Sequence, residues 1–267
     1  MRTSWNFWSV FLVTGLVICN CLFAQQGDEK TQESDLDRQL KMAKGLDEGD
    51  KLLGKGEYAK AAKVFSELYK AFPKRHALLM YRARAYFCEG KIKDAIADYD
   101  VIIKHEESSK PYLWQRGLAL YYASEFEKGV EQFESHQTVN TNDVENAAWH
   151  FLCVARKDGL EEARKKLIPI EGDTRVPMAE VHKLFAGKAT QQEVLDTAKK
   201  AKSKSAEYYA HLYIGLYLEA KGEKKEALRQ MELAKAVNPY KADVLMGQIA
   251  NIHLMLRKND KPKQGAK

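Results

Sequence analysis

Between His76 and Asp143 the large apolar, small and turn-forming positions return in phase with a spacing of 34 residues. Ala83 matches Gly117, Tyr86 matches Leu120, Gly90 matches Ser124, Ala95 matches Gly129, and Tyr99 matches Phe133. The same frame reaches back to Gly49, Leu52, Gly56, Tyr58, Ala61 and Phe65. Each unit reads as two antiparallel helices joined at Gly56, Gly90 or Ser124. Small residues let the two helices cross closely, and the large ones fill the space around the crossing.

That period is the tetratricopeptide one, in which a helix–turn–helix unit stacks on its neighbours along a solenoid. The expected fold class is therefore all-α, a superhelix of antiparallel helix pairs. Residues 42–143 carry three regular units, with Phe72-Pro73 closing the first and Pro111 near the start of the third. Residues 144–170 form a degenerate fourth unit. Asp143 is placed to cap a helix over 144–157, and a shortened second helix runs over 160–168 to Pro169. Residues 171–207 read as an irregular helical insert with a short helix over 177–185. The Thr190-Gln-Gln-Glu193 capping box stands ahead of a second helix over 194–201. The frame returns over 208–241 at Gly215, Leu218, Gly222, Ala227, Met231, Ala234 and Pro239. Residues 242–258 follow as an amphipathic helix, expected to cap the exposed face of the last unit.

The two ends read differently. Residues 1–24 have one charge, Arg2, and an apolar run from Phe7 to Ile18 ahead of Ala24, the pattern of a cleaved secretory signal. An uncleaved anchor is the alternative. Cys19 and Cys21 follow Ile18 and Asn20 and fit lipoprotein processing badly, so membrane attachment is not expected. Residues 25–41 read as a flexible leader turning helical near Asp35, and 259–267 as a disordered basic tail. Charged residues at 30%, hydrophobic ones at 45% and only six prolines suit a folded helical protein. The net charge of +6 is spread among alternating signs rather than gathered into a basic stripe, so no nucleic-acid partner is expected. Cys88 and Cys153 lie two units apart, too far for a disulfide.

Three stretches carry a resemblance to a family: Ala147-Ala-Trp-His-Phe-Leu152, Val181-His-Lys-Leu-Phe-Ala-Gly-Lys188 with the cap behind it, and Tyr208 to Leu218 with Gly222 and Ala227. With the order of parts, they resemble the NlpI-type tetratricopeptide proteins of bacterial envelopes over about residues 45–258. The resemblance implies export to the periplasm or cell envelope. It also implies an adaptor role toward envelope proteases and peptidoglycan-cutting enzymes.

Catalytic chemistry has no constellation to rest on. There is no phosphate-binding loop, no dinucleotide fingerprint, no zinc-protease motif and no nucleophile elbow. His150 and Cys153, three apart on one helix, lack the further ligands of a zinc site. Neither a cofactor nor a metal is expected. The candidate site is the groove lined by the first helices of the units. The frame places Met80, Arg84, Phe87, Trp114, Leu118, Tyr121, Trp149, Arg156 and Tyr209 there, with Cys153, Leu212, Leu216 and Glu219 beside them. Aromatics and arginines are the usual carriers of interface energy, so a protein or peptide ligand is the expected partner. The second reading is a structural or self-associating element whose groove is filled by its own chain or by another copy.

Overall fold

The computed structural model describes residues 28–258; the signal, both N-terminal cysteines and the basic tail lie outside them. The chain divides into a unit ending at Met42 and a unit beginning at Ala43. In the first, the described residues belong to α1 (Asp28–Gly54), and Leu36 and Leu40 are exposed. The leader is thus helical earlier than the expected Asp35.

The C-terminal part of α1 pairs with α2 (Tyr58–Ala71). Two further pairs follow, α3 (Leu78–Glu89) with α4 (Ile92–His105), and α5 (Trp114–Tyr122) with α6 (Phe126–Gln137). A 3-10 turn over Glu107–Tyr112 holds Pro111. The degenerate unit is α7 (Val144–Asp158) with the short α8 (Leu160–Lys165), which stops before the expected residue 168. The insert supplies α9 (Met178–Phe185) and α10 (Gln191–Lys200). The last pair is α11 (Lys204–Ala220) with α12 (Lys224–Val237), and α13 (Leu245–Lys258) ends the described chain.

The small-against-large rule is visible in the crossings. A Cβ placed on Gly117 would stand 2.5 Å from Phe133 Cζ, and one on Gly215 would stand 2.9 Å from Met231 Cε. Gly49 lies against Phe65 in the same way. The turn inside each unit needs a left-handed residue. Gly90 takes it at φ 84°, and its counterpart Ser124 takes it at φ 63° despite its side chain. Asp143 caps α7 by accepting from the Glu145 N–H at 2.9 Å, and Thr190 with Glu193 completes the capping box of α10.

A polar ladder, absent from the sequence reading, stitches successive units. Arg82 donates from Nε and Nη2 to both oxygens of Asp98, at 2.8 and 2.6 Å, and from Nη1 to Ser66 Oγ at 3.3 Å. Its counterpart Arg116 donates to Gln132 Oε1 at 3.2 Å and to Asp100 at 2.7 Å. Each arginine therefore joins its own second helix to that of the unit before. The next counterpart is His150, whose Nε2 lies 3.5 Å from Glu134, and burial lowers its pKa. The ladder carries permanent charge in two units and a weak, neutralised link in the third.

The largest departure from expectation is α13. Residues 241–244 form a turn rather than the start of the helix, and α13 runs back across the first helices of earlier units. Tyr58 Oη donates to the Ala242 carbonyl at 3.3 Å, and Gly90 at the end of α3 is faced by Met255 and Leu256. Tyr208 Oη on α11 donates to the Met246 carbonyl at 2.5 Å. The helix is buried nearly all round, through Leu245, Ile249, Ala250, Ile252, His253 and Leu254. The cap expected on one unit is a rod seated across several. The reason lies in its composition: Leu245, Ile249, Ala250, Ile252 and Leu254 spread over more of the helix than a single neighbouring pair can cover.

Candidate interaction groove

With α13 seated on the first helices, the expected groove residues separate into three groups. Phe87, Leu118, Tyr121 and Trp149 are at most 2% exposed, as core rather than as an open binding face. Cys153, Leu212 and Leu216 are buried with them. The open-groove role expected of these residues is corrected accordingly, since α13 and the stacked units already cover them. Met80 is 39% exposed and Arg84 is half-buried, both on α3. Trp114, Arg156 and Tyr209 keep partial exposure, with Tyr209 held between the Tyr208, Tyr213 and Tyr240 rings.

Tyr121, Arg156 and Glu219 do meet, although around an occupant belonging to the same chain. Glu219 on α11 accepts from Tyr121 Oη and from Arg257 Nε, each at 2.5 Å. Arg156 Nη1 lies 3.3 Å from the same carboxylate, and His253 Nε2 lies 3.8 Å away. Arg257 also lies over the Tyr122 ring at 5.5 Å. Burial works against ionisation of Glu219. The facing His253 and Arg257, with the Tyr121 hydrogen bond, outweigh it, and its pKa falls below the ordinary carboxylate value. Burial lowers His253 to about 4, against the pull of Glu219. At neutral pH the imidazole is therefore uncharged, and Arg257 is the cation on α13 that balances the buried carboxylate. Leaving either partner alone would strand a charge in a poorly solvated place.

Each end of α13 borders a cavity. Beside its N-terminal end lies a space of about 270 Å³ walled by Trp114, Trp149, Phe133 and Met246. Trp149 stacks edge-on to Tyr121 at 5.3 Å. At the polar rim Arg175 binds Asp143, Glu145 and, at 2.6 Å, Asp173. Burial pushes Glu145 up to about 7 in spite of Arg175, while Tyr213 Oη donates to it at 2.9 Å. Beside the C-terminal end lies a space of about 420 Å³ bordered by Arg156, Glu219, Lys224, His253, Arg257 and Leu228.

The sequence reading missed His253 and Arg257. Their signal was slight: Arg257 falls on a largely apolar helix, where a half-buried guanidinium needs an acidic partner, and His253 stands one turn before it. Among the described residues no three potential metal ligands gather into one group, and no helix is long and apolar enough to cross a membrane.

Comparison with known proteins agrees with this architecture. The tetratricopeptide repeat family model matches residues 46–110. No curated protein sequence matches the chain. Among solved structures, a tetratricopeptide repeat protein from Parabacteroides merdae is similar with a TM-score of 0.51 at 17% identity, over 86% of this chain and 88% of that one. MamA from Desulfovibrio magneticus RS-1, from residue 41 onward, gives a TM-score of 0.47 at 13% identity, over 74% and 94%. The fold is thus that of the tetratricopeptide α-solenoids.

Proposed function

We propose that this tetratricopeptide-repeat chain is a non-catalytic interaction scaffold that fills its own groove. The helix α13 takes the place a partner's helix would otherwise take. Partner proteins then meet the surfaces that α13 leaves open. The observation that carries this reading is the burial of α13 on nearly every face, with Arg257 neutralising Glu219 and His253 bonded to Tyr122. A helix resting on the last pair alone would have one wet side.

A peptide of residues 242–258 tests the reading. It fails to bind the intact chain, because the seat is taken. A chain ending at Lys241 binds it and regains the helical signal and thermal transition of the whole protein. Equal binding to both forms would sink the proposal.

We further propose that the scaffold acts in the bacterial envelope, toward an envelope protease or peptidoglycan hydrolase. The support is the apolar run from Phe7 to Ile18 before Ala24 and the NlpI-type order of parts. Crosslinking in the native envelope, followed by identification of the captured protein, tests it. Capture of cytoplasmic proteins alone would overturn it.

A further inference from the structure

We infer that the cavity beside the N-terminal end of α13 is a binding site for an N-acetylated sugar, with the acetamido group inside and one pyranose ring at the mouth. The inference goes beyond the scaffold reading and concerns a space that α13 borders through Met246 without filling it. At about 270 Å³ it lies just below the usual range of ligand sites, so it takes a single ring rather than a helix or a length of chain.

Two buried polar atoms on its lining residues point to the ligand. Trp149 Nε1 and Asn146 Oδ1 are shut off from water and have no hydrogen-bond partner among the described residues. The orientation of Asn146 is fixed by its nitrogen. Nδ2 donates to the Phe133 carbonyl at 3.2 Å and to Gln137 Oε1 at 2.8 Å, and Gln137 Nε2 donates in turn to the Thr141 carbonyl at 2.9 Å. A flipped Asn146 amide would set oxygen against oxygen at both places, so Oδ1 is the atom left over. The Trp149 indole is held edge-on to Tyr121 at 5.3 Å and tilted over Tyr122 at 6.2 Å. One idle donor and one idle acceptor, three residues apart on α7, cost stability until a ligand uses them.

A secondary amide matches this pair, because its carbonyl accepts from an indole N–H while its own N–H donates to a carbonyl oxygen. A carboxylate would leave Asn146 Oδ1 unmet, and an ammonium would leave Trp149 Nε1 unmet. The walls indicate what carries the amide. Trp114 is partly exposed beside the space, and the weakly positive C–H face of a pyranose packs on the electron-rich face of an indole. The rim residues Asn140, Asp143 and Arg175 offer donors and acceptors to ring hydroxyls, which use both. Because the two idle atoms are covered, the Trp114 side chain shifts as the acetamido group enters. Two sources share the chemistry, a free N-acetylhexosamine and the terminal unit of a glycan chain.

The probe is N-acetylglucosamine at millimolar concentration, followed through the indole N–H resonance of Trp149 in the full chain. That resonance, identified by its loss in Trp149→Phe, is expected to move, while glucose and glucosamine leave it in place. Trp149→Phe keeps an aromatic ring in the core and should lower the affinity about tenfold, the loss of one buried hydrogen bond. Trp114→Ala should weaken binding as well, by removing the platform for the ring. The β-1,4-linked dimer of the sugar tells the sources apart: it binds at least as tightly if a chain end is recognised and is excluded if only the free sugar fits. The inference is overturned if glucose moves the resonance as far, or if N-acetylalanine methylamide binds as tightly, since a bare peptide amide is then enough. It is also overturned if both variants bind the sugar as the parent does. The comparison of sugars needs no variant, so a Trp149→Phe chain that fails to fold does not spare the inference. None of these results depends on whether an α13 peptide binds in trans, so this site and the self-filled groove can fail separately.

Discussion

Tyr122 on α5 and His253 on α13 meet across 131 residues of sequence, with the phenol oxygen 3.3 Å from Nδ1 and the rings edge-on at 5.9 Å. The geometry suits the tautomer with its proton on Nε2. Nδ1 then accepts from the tyrosine, and Nε2–H faces Glu219. A neutral histidine buried this way makes the seat of α13 sensitive to acid.

The pH dependence follows from that burial. His253 titrates at about 4 in the fold and near its ordinary 6.5 when unfolded. Its contribution is fully present above pH 6.5 and is lost as the pH falls toward 4, since the unfolded chain then binds the extra proton. The loss is about 3 kcal/mol from this group. Glu219, with its lowered pKa, adds a loss of the same sign at the acid end of that window. Glu145, pushed up to about 7, acts with the opposite sign over the same window, so the parent should lose more thermal stability between pH 7 and pH 4 than His253→Gln does. An unchanged slope in that variant would remove His253 as the cause.

Gly117→Leu should overpack the α5–α6 crossing against Phe133 and cost about 1–3 kcal/mol. A conservative change at the exposed Lys93 should leave stability unchanged. Denaturant midpoints of the two variants check the pair. A Gly117→Leu variant as stable as the parent would mean the helices do not cross there.

Ser124→Gly should stabilise the chain by about 1 kcal/mol, because a side chain in the left-handed region is strained. Gly90 already meets the same need one unit earlier. The predicted readout is a rise of a few degrees in the thermal transition, and a fall would show that the Ser124 side chain stabilises the turn.

The two groove tryptophans should part company. Trp149 is 2% exposed, so Trp149→Ala should cost about 3–5 kcal/mol by leaving a cavity. Trp114 borders the open space beside Met246 and is only partly buried, so Trp114→Ala should cost clearly less. Unfolding curves of both variants decide it, and equal losses would place both indoles in the core.

The repeat was legible because its rule is local. A small residue in one helix faces a large one in the next, as Gly117 faces Phe133 and Gly215 faces Met231, and the interval between them is constant. The caps at Asp143 and Thr190 were legible for the same reason, since each acts within its first turn. The place of α13 was not. Its amphipathic pattern calls for a cover without saying which surface supplies it, and the deciding contacts, Arg257 to Glu219 and His253 to Tyr122, join residues far apart in sequence. Phe87, Tyr121 and Trp149 were placed on the correct helices, but the sequence frame could not reveal that a later helix would cover them.

The return of α13 to α3 changes how the array can come apart. In a simple stack each unit is coupled only to its neighbours, so loss of order can start at either end and travel inward. Here the last helix touches the second pair through Met255, Leu256 and Gly90, and one continuous core runs from Leu79 to Leu254. The final helix acts as a drawstring: an opening at the C-terminal end must also break contacts near the start. Leu53, Ala61, Ala62 and Phe65 form a smaller cluster with Ala85 of α3, and the C-terminal segment reaches this pair only through Ala242, at Tyr58 and Gly56. Unravelling should therefore start most easily at the pair made by α1 and α2, while the units bridged by α13 should come undone together.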